Sequence, residues 1–201
     1  MSKPRTARVR FGHYSPDRSN LDVHINHSRV VENTPPTRLS NCVDVSSGVQ
    51  EIKITQTGET DAVVRESLNL EAGGHYTVLV TGEGRDTSAS LYHDDPGTVS
   101  PGQTRIRLIN AAVQTANARL RVQDGTTSDS AEFRCATEYL STENPRDMEV
   151  LPTPSSQPIS LSVTGPSKGA AYTFVLARDP DQGQFRTRLA VDSVGSQMIP
   201  E

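Results

Sequence analysis

Nucleophilic catalysis needs a serine or cysteine held against a histidine that an acid orients, and the raw materials are present. All five histidines, His13, His24, His27, His75 and His93, fall in the first half of the chain, among abundant serine and aspartate. Abundance is not spacing. No Gly-x-Ser-x-Gly elbow occurs, so no nucleophile is presented on a strained turn, and no catalytic residue is assigned. For a metal, His24 and His27 stand near one strand end, and Asp94 and Asp95 could join Asp17 at one pole of a domain. Oxygen ligands would favour calcium. The spacing matches neither an EF-hand nor a Gly-Asp repeat, and Asp94-Asp95-Pro96-Gly97 has the composition of a solvated turn, so no metal ligand is assigned. Gly82-Glu83-Gly84 lacks the third glycine and following helix of a dinucleotide loop, and no cofactor is expected. Cys42 and Cys135, in different halves, are too few for a disulfide framework or a zinc site and are read as unpaired thiols.

Arg8, Arg10, Arg105 and Arg107 alternate with apolar residues in two matching runs, which places them on the outward face of a strand. They could touch a polyanion, or they could protect a strand from sheet-to-sheet aggregation. The second reading is preferred because the net charge is −4. That balance lacks the basic stripe a nucleic-acid binder needs to release counterions. Lys3, Lys53 and Lys168 are the only lysines. This arginine bias, with plentiful Asp, Thr, Ser and Val, suits a GC-rich, salt-loving host.

The elements that must position these residues are strands. Arg8–Phe11, Leu21–Asn26, Val49–Ile54 and Tyr76–Val80 alternate with a period of two, which puts one face on a core and the other in water. Turn clusters such as Ser15-Pro16-Asp17 and Pro35-Pro36 separate them. Strands at such spacing read as a sandwich. The best helical window, Arg134–Leu140, is short. A hydrophobic content of 33% with 4% aromatics and no Trp suits two small cores better than one large one. No stretch approaches the roughly 18 apolar residues of a membrane helix. Blocks recur in order: Ala7–Phe11 with Thr104–Leu108, Leu21–Asn26 with Ala118–Gln123, and Gly73–Val78 with Gly169–Phe174. This implies an internal duplication. The expected organisation is a β-sandwich over 6–95, a Pro/Gly linker over 96–103 and a second sandwich over 104–195. The first copy carries an extra strand-like run, Ala62–Leu70. The second carries a long polar segment, Asp124–Pro158, read as a loop.

Leu70-Glu71-Ala72-Gly73-Gly74-His75-Tyr76, leading into an apolar strand, looks like the tyrosine corner of immunoglobulin-like and fibronectin type III domains; Tyr172 keeps the spacing in the second copy. The opening Ala7-Arg8-Val9-Arg10-Phe11-Gly12-His13-Tyr14-Ser15-Pro16-Asp17 resembles the start of domain of unknown function family 4397. Leu21–Ile25 and Leu70–Val78 are similar to two further strands of that family, over about residues 6–95. The resemblance implies immunoglobulin-like β-sandwich modules of bacterial and haloarchaeal surface proteins, with no enzymatic activity and no catalytic residues to carry over. The chain departs from the family in opening without an export signal and in its eroded second copy. The sequence reading is therefore all-β, two tandem immunoglobulin/fibronectin-III-like sandwiches, and not an enzyme. Its expected role is structural, in an extracellular assembly: foremost a virion surface component (decoration, turret or tail) of a haloarchaeal virus. The alternatives are a cell-envelope adhesion module and a carbohydrate-binding domain, the last poorly supplied with stacking aromatics. Expected partners are proteins of the assembly and further copies of the chain, with no nucleic acid and no membrane insertion, at a virion or cell surface.

Overall fold

The computed structural model describes residues 5–143, 145, 148–154, 157–161, 168–180, 182–194 and 197–198. The first unit ends at Asp95 and the second begins at Pro96. The first contains β1 (Thr6–Tyr14), β2 (Leu21–Ile25), β3 (Ser28–Thr34), β4 (Arg38–Leu39), β5 (Val43–Ser46), β6 (Gly48–Gln56), β7 (Ala62–Leu70), β8 (His75–Thr81) and β9 (Ser88–His93). One sheet runs β4-β1-β8-β9 with β5 also on β1, and the other runs β3-β2-β6-β7. β1 and β8 are parallel; the other pairs are antiparallel. The alternation expected for these strands fills the space between the sheets with Val9, Phe11, Val23, Ile52, Ile54 and Val78.

The second unit repeats the plan with β10 (Thr104–Asn110), β11 (Asn117–Arg121), β12 (Ala131–Glu132), β13 (Leu140–Thr142), β14 (Met148–Thr153), β15 (Ile159–Leu161), β16 (Ala170–Arg178), β17 (Phe185–Val194) and β18 (Gln197–Met198). Its sheets run β13-β10-β16-β17-β18 and β12-β11-β14-β15. β10 is again parallel to β16, and Ile106, Leu108, Leu120, Val150 and Phe174 lie in the core. The chain is thus all-β with tandem sandwiches.

Three expectations need correction. Arg134–Leu140 is not helical; among the described residues the only helix is the 3-10 turn Gly84–Asp86. The polar segment 124–158 is no single loop, because β12, β13 and β14 lie in it and pair with β10 and β11. Short strands of two and three residues leave no periodicity to read. The third concerns the arginines. Arg10 and Arg107 are buried, and Arg8 and Arg105 are half-buried. β1 and β10 are central strands, covered on both faces. Leu79, Tyr14 and Tyr92 are buried without belonging to the core between the sheets. Gly12 makes room for them: a Cβ there would lie 2.6 Å from Leu79 Cδ2, 2.7 Å from Leu39 Cδ2 and 2.7 Å from Tyr14 Cε2.

Candidate functional site

His13, Ser15 and Asp17 are the nearest approach to a catalytic set, and the fold uses each as a tie. His13, the penultimate residue of β1, is fully buried. Its Nε2 lies 2.9 Å from the Ser19 carbonyl and its Nδ1 accepts from the Ser15 amide at 3.3 Å, an arrangement that requires the Nε2–H tautomer. Burial holds its pKa below the usual histidine value, against the pull of the Ser19 and Arg18 backbone and of Asp17. The Ser15 hydroxyl, also buried, donates to the Gly82 carbonyl at 2.6 Å. Asp17 accepts from the Gly84 amide at 2.7 Å, and Arg18 Nη2 donates to the Gly84 carbonyl at 2.6 Å. The desolvation that would raise the Asp17 pKa is outweighed by Gly84 N–H, the Ser15 hydroxyl and Arg18, so the carboxylate sits low. The histidine engages backbone through both ring nitrogens and the serine proton points at a carbonyl. The motif is a clamp between the β1–β2 and β8–β9 connections.

The buried arginines form a second kind of tie, once in each unit. Arg10 Nε donates to Thr77 Oγ1 at 2.7 Å, Thr77 Oγ1 donates to Asp94 Oδ2 at 2.7 Å, and Arg10 Nη2 lies 3.2 Å from the same carboxylate oxygen. In the second unit Arg107 Nε donates to Thr173 Oγ1 at 2.8 Å and Thr173 donates to Asp192 Oδ2 at 2.6 Å. The Tyr139 hydroxyl adds a bond to Asp192 at 2.8 Å, and its ring lies 4.8 Å from the Arg107 guanidinium. Sequence reading missed both nodes. The signal was there: Thr77 and Thr173 follow the two matched tyrosines, and Asp94 and Asp192 lie in the last strands of their copies or just beyond. Tyr76 does what a tyrosine corner requires, its hydroxyl accepting from the Glu71 amide at 3.0 Å.

These ties pull the proposed calcium set apart. Asp94 N bonds to the His75 carbonyl at the start of β8, whereas Asp17 bonds to Gly84 beyond its other end. Seven residues of strand separate them by about 20 Å. Among the described residues no group of three metal-ligating side chains occurs.

What remains open to solvent lies on the outer face of the β3-β2-β6-β7 sheet. His24 stands opposite Lys53, and Lys53 opposite Arg65. With Asn26, His27 and Glu51 they line a pocket of about 140 Å³. The two residues between β2 and β3, Asn26 and His27, both have positive φ, 45° and 73°, as a type I′ hairpin demands. Asn26 is held there by its own side chain: Oδ1 accepts from the Glu51 amide at 3.0 Å and Nδ2 donates to Gln50 Oε1 at 2.6 Å. Arg65 Nη1 lies 3.4 Å from Glu51 Oε1. Among the described residues His24, His27 and Lys53 make no side-chain hydrogen bond or ion pair. His24, His27 and Lys53 thus form a cluster of uncommitted polar side chains in a concavity of the first unit. Asp22, on the same strand, is by contrast consumed. It accepts from the Asn33 amide at 2.8 Å and Thr57 at 2.7 Å, with Arg29 at 3.3 Å. These bonds overcome the desolvation that would raise its pKa and leave it lowered.

Two sandwiches in tandem, each tied by a buried Arg–Thr–Asp node, make up the described chain, and the histidine nearest to a catalytic set, His13, is a structural tie. The chain belongs to the family described as domain of unknown function (DUF4397), whose model matches residues 7–121. The match covers the first sandwich and continues through β10 and β11 of the second. No curated protein matches the sequence. Solved structures to which the chain shows a distant similarity include the Porphyromonas gingivalis fimbrial anchor protein Mfa2, 10% identical with a TM-score of 0.28 over 96% of this chain and 100% of that one. CBMbc of family CBM26, from Eubacterium rectale Amy13K in complex with maltoheptaose, is 9% identical with a TM-score of 0.29, over 92% and 96%. The Bacillus anthracis TIE protein is 8% identical with a TM-score of 0.28; the match covers 86% of this chain and spans 34% of the length of that protein. Scores of this size do not establish a common topology. The virion component expected first from the sequence has no counterpart in these three descriptions.

Proposed function

We propose that the protein is a non-enzymatic binding module of the cell surface, an adhesion or attachment domain that meets its partner on the solvent face of the first sandwich. One observation carries this reading. Two histidines and a lysine that make no side-chain hydrogen bond or ion pair among the described residues lie together in a concavity on that face, while His13, Ser15 and Asp17 are spent on the clamp. Sites that orient ligands need a few convergent polar groups on a rigid support, and a four-stranded sheet supplies the support. No helix among the described residues is long and apolar enough to cross a membrane. Fractionation of the native source, with mass spectrometry of envelope, particles, medium and cytosol, tests the proposal. Enrichment in the envelope is the expected result. Stoichiometric recovery in purified virus-like particles would replace the module with a virion component, and confinement to the cytosol would overturn both.

A further inference from the structure

We infer that the pocket on β2, β6 and β7 takes a carboxylated sugar of an acidic surface polysaccharide. The inference rests on the surface-binding reading for where the ligand is met, and on the pocket's chemistry for what the ligand is. Four of the six lining side chains, His24, His27, Lys53 and Arg65, are nitrogen bases, in a protein whose overall charge is −4. A local excess of donors against an acidic background selects an anionic group at close range rather than through a long-range field. Lys53 is half-buried on the sheet, so its ammonium reaches the pocket from a fixed stem. The sixth group decides the class. Glu51 brings a carboxylate into the same pocket, 3.4 Å from Arg65. It would repel a doubly charged phosphate but accepts hydrogen bonds from hydroxyls. A ligand carrying one carboxylate and several hydroxyls satisfies both halves of the site. A volume of about 140 Å³ admits one such residue of a chain and leaves its neighbours in solvent.

Two further observations support a ligand. His27 occupies, at φ 73°, the second turn position where glycine would be unstrained. A histidine kept in the left-handed region at a pocket rim is a retained donor at a conformational cost. The second unit supplies an internal contrast at the matching place. Where the first has His24, Lys53 and Arg65 in a row, the second has Arg121, Glu149 and Ser160. There Arg121 Nη2 and Nε are both bonded to Glu149. In the second unit Glu149 stands where the first has Lys53, and Ser160 where the first has Arg65.

Titration calorimetry of the full chain with glucuronate and with oligogalacturonate, against neutral dextran and polyphosphate, tests this. Binding to the carboxylated probes is expected, with a loss of tenfold or more for Lys53→Glu, the order of one charge-assisted hydrogen bond. Arg119→Glu, the same size of charge change on the exposed face of β11, should leave affinity unchanged. An unaltered thermal transition for Lys53→Glu excludes misfolding; if that variant does not fold, His27→Gly replaces it with the same expected loss. Absence of binding to either carboxylated probe, equal binding of polyphosphate, or equal loss in Arg119→Glu would each overturn the ligand assignment. None of these outcomes alters the envelope fraction, so surface location stands or falls separately.

Discussion

Replacing Asp94 by Asn keeps the shape of the first buried node and removes its charge. The node is closed: the side chains of Arg10 and Asp94 are 7% and 5% exposed, and Thr77 bridges them with both its donor and its acceptor. Asparagine would remove the Asp94 charge that faces the Arg10 guanidinium in a buried site. Breaking a buried pair by removing one partner costs about 3–5 kcal/mol, a large share of the roughly 5–15 kcal/mol that a domain has in total. A unit of this size loses about 4–8 °C of Tm per kcal/mol, so the first unit should melt at least roughly 12 °C lower. Hydrogen exchange read by mass spectrometry assigns the loss to a unit, because each sandwich opens with its own free energy. Asp192→Asn should do the same to the second unit alone. The exposed pair Arg29–Glu32, 48% and 62% exposed, supplies the control: Glu32→Gln should cost within about 0.5 kcal/mol. Exchanging the whole node for apolar side chains, Arg10→Met with Thr77→Val and Asp94→Leu, should recover most of the loss, since nothing charged remains to be solvated. If Asp94→Asn falls in the range of Glu32→Gln, the pair is wet and the reasoning from burial fails.

Gly12→Ala drives a methyl into Leu79, Leu39 and Tyr14 at 2.6–2.7 Å and should destabilise the first unit by about 1–3 kcal/mol in urea titration; a neutral result would mean the outer face of β1 is not packed. His27→Gly relieves a left-handed histidine and should raise stability by about 0.5–1 kcal/mol while weakening any ligand held at the pocket, two readouts that move in opposite directions. The burial-lowered pKa of His13 means the unfolded chain binds a proton first as pH falls. Stability should therefore be full above about pH 6.5 and decline below it, and His13→Asn should flatten that decline. The lowered pKa of Asp22 works at the other end: its contribution is present above about pH 3.9 and is lost as pH falls through the folded value, so Asp22→Asn should weaken the protein at neutral pH and shrink its further loss in acid.

Strand positions were legible because alternation is a local property. β7 occupies Ala62–Leu70, the run singled out from sequence, and the Tyr76 hydroxyl reaches back to Glu71 as the tyrosine corner implies. What alternation cannot tell is whether the second face of a strand meets water. Arg10 and Arg107 sit at positions that read as outward, yet Thr77 and Asp94, 67 and 84 residues beyond Arg10 in sequence, meet it on that face. Partners so distant leave no periodic trace. They leave only a coincidence between copies, Tyr-Thr after a glycine turn and Asp near the chain end of the sheet, which two examples in one sequence can reveal once the node is known. The pocket was half legible: His24 and His27 stood out as neighbours, but Lys53 and Arg65 join them through strand pairing alone.

The two units keep different things, and the difference bears on function. Both retain the parallel pairing of first and late strands and the Arg–Thr–Asp node, features that hold a sheet together whatever it binds. The solvent face over β11, β14 and β15 carries Glu149 and Ser160 where its counterpart carries Lys53 and Arg65. If the open face of the first unit were only a solubilising surface, nothing would distinguish Arg121 paired to Glu149 from Lys53 left unpaired beside Arg65. A chimera that carries Arg121-x-Gln123 and Glu149 into the matching positions, His24→Arg, Asn26→Gln and Lys53→Glu, separates these cases. Retained folding with lost binding to oligogalacturonate would place recognition on the first sandwich and support on the second; retained binding would mean that the contact lies elsewhere and that the cationic row is surface alone.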